Sequence, residues 1–113
     1  MRTFLIAGFA LVFAVMVAVT TAACLERGVL AAGADLWHDA WFRATLCDTY
    51  FAFLTVALWI CCRERSMVAR LGWLLGILVL GNLAIAAYFL IALVRAPGGD
   101  WRTIFPLREE LAQ

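Results

Sequence analysis

Three stretches of the chain are apolar almost without interruption. Thr3 to Leu25 contains no Asp, Glu, Lys or Arg, and neither does Leu71 to Val94. Between them, Ala44 to Cys62 carries a single charge, Asp48. Continuous apolar runs without period-2 alternation predict helices, not strands. Each run has about the 20 residues that cross roughly 30 Å of hydrocarbon as a helix. The pattern therefore predicts an all-α integral membrane three-helix bundle, one transmembrane domain over 1–113. Its helices fall at about 3–25, 43–62 and 71–95, followed by a C-terminal tail, 96–113. The tryptophans mark the edges: Trp37 and Trp41 precede the second run, Trp59 ends it, Trp73 opens the third and Trp101 follows it. Indole favours the headgroup zone, where its ring is half buried and its N–H meets water.

Polar residues punctuate these runs. The first loop contains "GADLWHDAWF", which predicts a short interfacial helix with Asp35 as N-cap and Leu36, Trp37, Ala40 and Trp41 on one face. Asp35, His38 and Asp39 read as a cap and a solvated face; the alternative, a metal site, lacks further ligands, since His38 is the chain's one histidine. Pro97-Gly98-Gly99 predicts the end of the third helix, with Trp101, Ile104 and Phe105 beyond it on the membrane surface.

Composition agrees. The chain of 113 residues is 66% hydrophobic with a mean hydropathy of +0.97. A small fold leaves much of its surface exposed, so apolar surface is expected to face lipid or a partner. A net charge of +1 offers no nucleic-acid footprint. No cofactor is implied. The four cysteines form no C-x-x-C pair and no zinc spacing; Cys24 and Cys47 both fall near the outer helix ends, where a disulfide is conceivable. A cleaved signal peptide ending near Cys24 is the alternative to a retained first span, but Thr21 stands where a lipoprotein site places a large aliphatic residue.

With the N-terminus inside, Arg2, Arg63, Arg65 and Arg70 lie inside and Arg27, Arg43, Arg95, Arg102 and Arg108 outside. A count does not decide, but the density of arginine between Arg63 and Arg70 favours a cytoplasmic N-terminus and an external C-terminus in a cell (inner) membrane, multi-pass.

Two intramembrane polar residues are the candidate chemistry. Asp48 is expected to face the other helices, because Ala44, Ala52, Thr55 and Trp59 share its face while Leu46, Phe53 and Ile60 lie opposite, toward lipid. Thr20, Thr21 and Tyr88 are expected at its depth, with Arg43 able to bend toward it. Asn82 is expected mid-span in the third helix, near the level of Thr55. The candidate polar cluster is therefore Asp48, Asn82, Tyr88, Thr55, Thr21 and Arg43. Structural hydrogen bonding is the simpler role for it, a ligand pocket or proton relay the other. Ala10, Ala14, Ala18 and Ala22 form a smooth ridge, and Gly72 and Gly76 a small-xxx-small pair, suited to close helix approach.

"WFRATLCDTYFAFLTVALW" followed by "RERSMVARLGWLLGILVLGNLAIAAYFLIAL" resembles an uncharacterised family of small three-span membrane proteins, a domain of unknown function found mainly in bacteria. The resemblance covers about 37–95, includes Asp48 and Asn82, implies three helices and supplies no activity. No nucleophile–base pair, phosphate loop or metal cluster is evident. The expected function is non-catalytic: an accessory or assembly subunit in the lipid bilayer beside a larger membrane complex, or a homo-oligomer. The alternative is a small transporter or lipophilic-ligand binder using Asp48 and Asn82.

Overall fold

The computed structural model describes residues 1–106, and over these it is helical. The helices are α1 (Arg2–Glu26), α2 (Val29–Leu36), α3 (Ala40–Arg63), α4 (Met67–Leu80) and α5 (Asn82–Arg95). Short 3-10 turns follow at Pro97–Gly99 and Trp101–Thr103. Arg108 and the rest of the predicted tail beyond 106 lie outside the described residues.

The first two predicted helices are present as α1 and α3, each slightly longer than expected. Both are long and apolar enough to cross a membrane. The third is not one helix. Gly81 stops α4 and starts α5, with φ 60° and ψ −127°. That backbone region is open to glycine alone in practice. The chain reverses there. A Cβ on Gly76 would lie 3.8 Å from the Ala84 Cβ, and the Trp73 and Tyr88 rings meet edge to face at 5.0 Å. Contacts between residues placed symmetrically about Gly81 require an antiparallel hairpin. A straight helix would separate Trp73 from Tyr88 by about 22 Å.

The hairpin packs along one half of α1 and one half of α3. α4 runs antiparallel to α3: the Cys61 thiol donates to the Arg70 carbonyl near one end, and the Tyr50 hydroxyl donates to the Leu78 carbonyl, 3.1 Å away, near the other. α5 runs antiparallel to α1: Arg2 Nε donates to the Leu93 carbonyl at 3.1 Å, and the Phe9 and Phe89 rings stack at 4.7 Å. The start of α1, the end of α3, the start of α4 and the end of α5 therefore gather at one end of the molecule. The expectation that the chain leaves the third helix at the opposite end from its N-terminus is corrected accordingly. Arg2, Arg63, Arg65, Arg70, Arg95 and Arg102 collect at the gathered end, and Arg27 and Arg43 at the other.

Local signals explain the helix starts. The Asp39 carboxylate accepts the Phe42 N–H at 3.0 Å and Ser66 Oγ accepts that of Ala69 at 3.4 Å, so each satisfies an orphan amide. Asp39, not Asp35, is thus the cap in the first loop. α2 begins earlier than predicted, behind Gly28, and ends at Leu36. Asp35 falls in its last turn, an unfavourable place for a carboxylate, and is paired with Arg27.

The core lies in the hairpin half. Ala57, Ile60, Ile77, Ala84 and Tyr88 form one cluster, and Phe89, Leu93, Ala96 and Ile104 another. Ile60 is 0% exposed and Phe53 packs against the first cluster, so the side of α3 expected to face outward is the buried one. That expectation anchored the wheel on Asp48 and gave polarity priority; the bulky apolar side has taken the interior instead. Ile104, expected on a surface, is 2% exposed beneath the bundle, and Phe105 stacks on Phe89 at 5.2 Å. Gly98 and Gly99, both at positive φ, turn the chain back to put them there. The alanine ridge of α1 is exposed throughout, whereas Gly76 serves the contact within the hairpin.

Candidate functional site at the hairpin tip

Reversing a helix at one residue leaves backbone polar groups at the turn. The Gly81 N–H reaches the Ile77 carbonyl at 2.8 Å, and the Ile85 N–H reaches the Gly81 carbonyl at 3.2 Å. Tyr50 supplies the hydroxyl for Leu78. The first amides of α5 have no partner from their own helix, as at any helix start. Asn82 is the first residue of α5, not a mid-helix residue, and its side chain is exposed.

Two shallow cavities flank the tip and share Thr49, Phe53 and Asn82. One, about 340 Å³, opens toward α1 and includes Met16, Thr20 and Tyr50. The other, about 310 Å³, lies along α3 and includes Asp48, Ala52 and Val56. Asp48 and Asn82 therefore line one cavity although they belong to different helices. Asp48 is exposed, and among the described residues it accepts no hydrogen bond from Thr, Tyr or Arg43. Its orientation follows from the buried side of α3: with Ala57 and Ile60 inward, residue 48 falls about 150° from the centre of that face at 100° per residue.

The other candidates stand elsewhere. Tyr88 is at the gathered end, buried, its hydroxyl donating to Glu64 Oε1 at 2.8 Å. The reversal at Gly81 moved it there; a continuous third helix would have raised it to the level of Asp48. The Thr55 hydroxyl donates to the Phe51 carbonyl of its own helix at 2.9 Å. Thr21 is exposed on α1 and lines neither tip cavity, whereas its neighbour Thr20 lines one. Arg43 is exposed, about one turn before Asp48, and its side chain makes no hydrogen bond among the described residues. Thr20, Thr49, Tyr50 and Gly81 are the residues that belong with Asp48 and Asn82. The signal for them was the Gly81-Asn82 pair, a helix-stop dipeptide inside an apolar run.

In the first loop the carboxylates are already engaged, Asp35 by Arg27 and Asp39 by the α3 terminus. Among the described residues no group of three or more His, Cys, Asp or Glu is arranged to hold a metal ion. Cys24 and Cys47 are unpaired, as are Cys61 and Cys62.

The class these features define is an all-α protein with two helices long and apolar enough to span a membrane and a helical hairpin against one half of them. Residues 2–103 match the model of the family described as "Protein of unknown function (DUF1475)", and the chain belongs to that family. No curated protein and no solved structure matches it.

Proposed function

We propose that this protein is a non-catalytic multi-pass protein of the cell (inner) membrane, an accessory or assembly subunit that docks a partner at the hairpin tip. In this reading α1 and α3 cross the bilayer. α4 and α5 enter and leave from one side, since their 14 residues each make helices of about 21 Å, short of the roughly 30 Å of hydrocarbon. The arginine-rich end is cytoplasmic by the positive-inside rule, which the hairpin makes more one-sided than the unbroken third span implied.

The observation that carries the partner is Asp48. It stands exposed on an apolar helix with no hydrogen bond from its own chain among the described residues. An ionised carboxylate in a bilayer costs up to about 2.5–3.5 kcal/mol on insertion scales. A re-entrant turn is tolerated only where protein or a wet cavity covers it. A partner helix bringing hydrogen-bond donors to Asp48 and Asn82 answers both costs, and the bare alanine ridge of α1 offers a second close-packing surface nearby.

The test is extraction in mild detergent with mass spectrometry of co-migrating chains. The wild type is expected to carry a stoichiometric larger membrane protein, or a second copy of itself. Asp48→Leu should lose that partner while keeping its helix content and melting temperature, and Asp48→Asn should retain much of it. Unchanged assembly in Asp48→Leu contradicts the proposal. The alternative function, a small transporter or lipophilic-ligand binder, draws on the fact that Asp48 and Asn82 line one cavity. It predicts a different result: Asp48→Asn assembles normally but abolishes proton-coupled flux in liposomes, because an amide does not ionise.

A further inference from the structure

The gathered end of the bundle holds a further cavity, about 440 Å³, whose chemistry is distinct from that of the two at the tip. Arg63, Glu64, Trp73, Tyr88, Arg95 and Thr103 contribute to its walls. Two arginines and one glutamate thus border a single space. Arg63 Nη1 donates to the Thr103 carbonyl at 3.1 Å, and its guanidinium lies 4.9 Å over the Trp59 ring. Both contacts fix the group while leaving donors of the guanidinium free for a ligand. Arg95 ends α5. Among the described residues neither arginine is in an ion pair; the one pair there is Arg27 with Asp35. Glu64 uses Oε1 to accept the Tyr88 hydroxyl at 2.8 Å, and its backbone carbonyl accepts from Arg70 Nε at 2.7 Å, so its carboxylate is fixed beside the arginines without being neutralised by them.

A bare anion would suit the arginines and be opposed by Glu64. A bare cation would meet the reverse. A group carrying both signs suits all three: phosphate oxygens accept from Arg63 and Arg95 in the bidentate geometry guanidinium favours, while an ammonium lies against Glu64 and the Trp73 ring. The same cavity has an apolar wall from Ile91 and Ala92 on α5, which suits the glycerol and first methylenes of an acyl chain. We propose that this cavity binds a zwitterionic phospho-ammonium headgroup, supplied by a phospholipid with a primary amine. The lipid source rests on the membrane reading above, which places this end at the cytoplasmic interface.

Binding of short-chain phosphatidylethanolamine to the purified full-length protein, against phosphatidylglycerol and phosphatidylcholine of equal chain length, tests it by native mass spectrometry. The ethanolamine lipid is expected to bind at least tenfold tighter than the glycerol lipid. Glu64→Gln, which can still accept from Tyr88, should erase that preference while leaving the melting temperature in place. Arg95→Gln should weaken every phosphate-bearing lipid at least tenfold. Equal or tighter binding of phosphatidylglycerol to the wild type overturns the proposal, as does indifference of the preference to Glu64→Gln. Soluble glycerophosphoethanolamine binding as tightly as the lipid would overturn the lipid as source. Carbonate extraction of cell membranes separates the underlying reading: release of the protein into the supernatant sinks the membrane assignment whatever the headgroup result.

Discussion

Gly81→Ala is expected to be the most damaging single-methyl substitution in the chain. Its φ of 60° and ψ of −127° lie where an L side chain is strained, by about 1–3 kcal/mol. The added Cβ would also sit 2.8 Å from the Phe53 ring, an overlap of the kind that costs a further 1–3 kcal/mol or so. The two costs are separable. Phe53→Ala in the same chain removes the ring but not the backbone strain, so the double variant should recover part of the loss and never all of it. Unfolding in mild detergent, followed by circular dichroism, is the readout. A Gly81→Ala chain that melts within about 0.5 kcal/mol of the wild type, the ordinary range for neutral surface changes, would mean that the chain does not reverse at this residue.

Phe89→Ala is expected to be next. Its ring stacks on Phe9 at 4.7 Å, Phe105 at 5.2 Å and Trp59 at 5.4 Å, joining α1, α3, α5 and the C-terminal turn. Truncating a buried Phe costs about 3–5 kcal/mol when the site does not collapse. In a bilayer the loss is one of packing and not of transfer, because lipid is as apolar as the ring. The effect should also be directional. Without Phe89 the Ile104–Phe105 segment loses its seat, so limited proteolysis after Arg102 should accelerate well before the helices melt. Phe89→Leu should cost less and protect that site better. Equal proteolysis rates in wild type and Phe89→Ala would show that the C-terminal turn is held by other contacts.

The apolar runs made α1 and α3 legible almost to their ends, because length and absence of charge suffice for a long helix. The same criterion concealed the hairpin. Leu71 to Val94 is as apolar as any span, and hydropathy averages over the one residue, Gly81, whose conformation reverses the chain. Once Gly81 is missed, the depth assigned to every later residue is wrong: Tyr88 moves from the level of Asp48 to that of Glu64, and Ile104 from a surface to the interior. Asp48 and Asn82 still meet at one cavity, because Asn82 follows the turn directly and Thr49 and Phe53 abut it. The facing of Asp48 is hidden for a different reason: polarity alone points it inward, whereas Ala57, Ile60 and Phe53 compete for the interior of α3 and occupy it. The acid–base composition of the 440 Å³ cavity was not legible at all, since Arg63, Glu64 and Arg95 come together only through the reversal.

Thiol accessibility in intact cells tests the re-entrant architecture most directly. In a cysteine-free background, single cysteines replace Ala32 in α2, Ser66 between α3 and α4, and Asp100 beyond α5. A membrane-impermeant maleimide is applied before and after permeabilisation. The hairpin predicts that position 32 labels from outside, while 66 and 100 both label only after permeabilisation, because the chain enters and leaves from the same side. Labelling of position 100 together with 32 in intact cells would mean that residues 67–95 cross the membrane, and would contradict the architecture on which the site and the function rest.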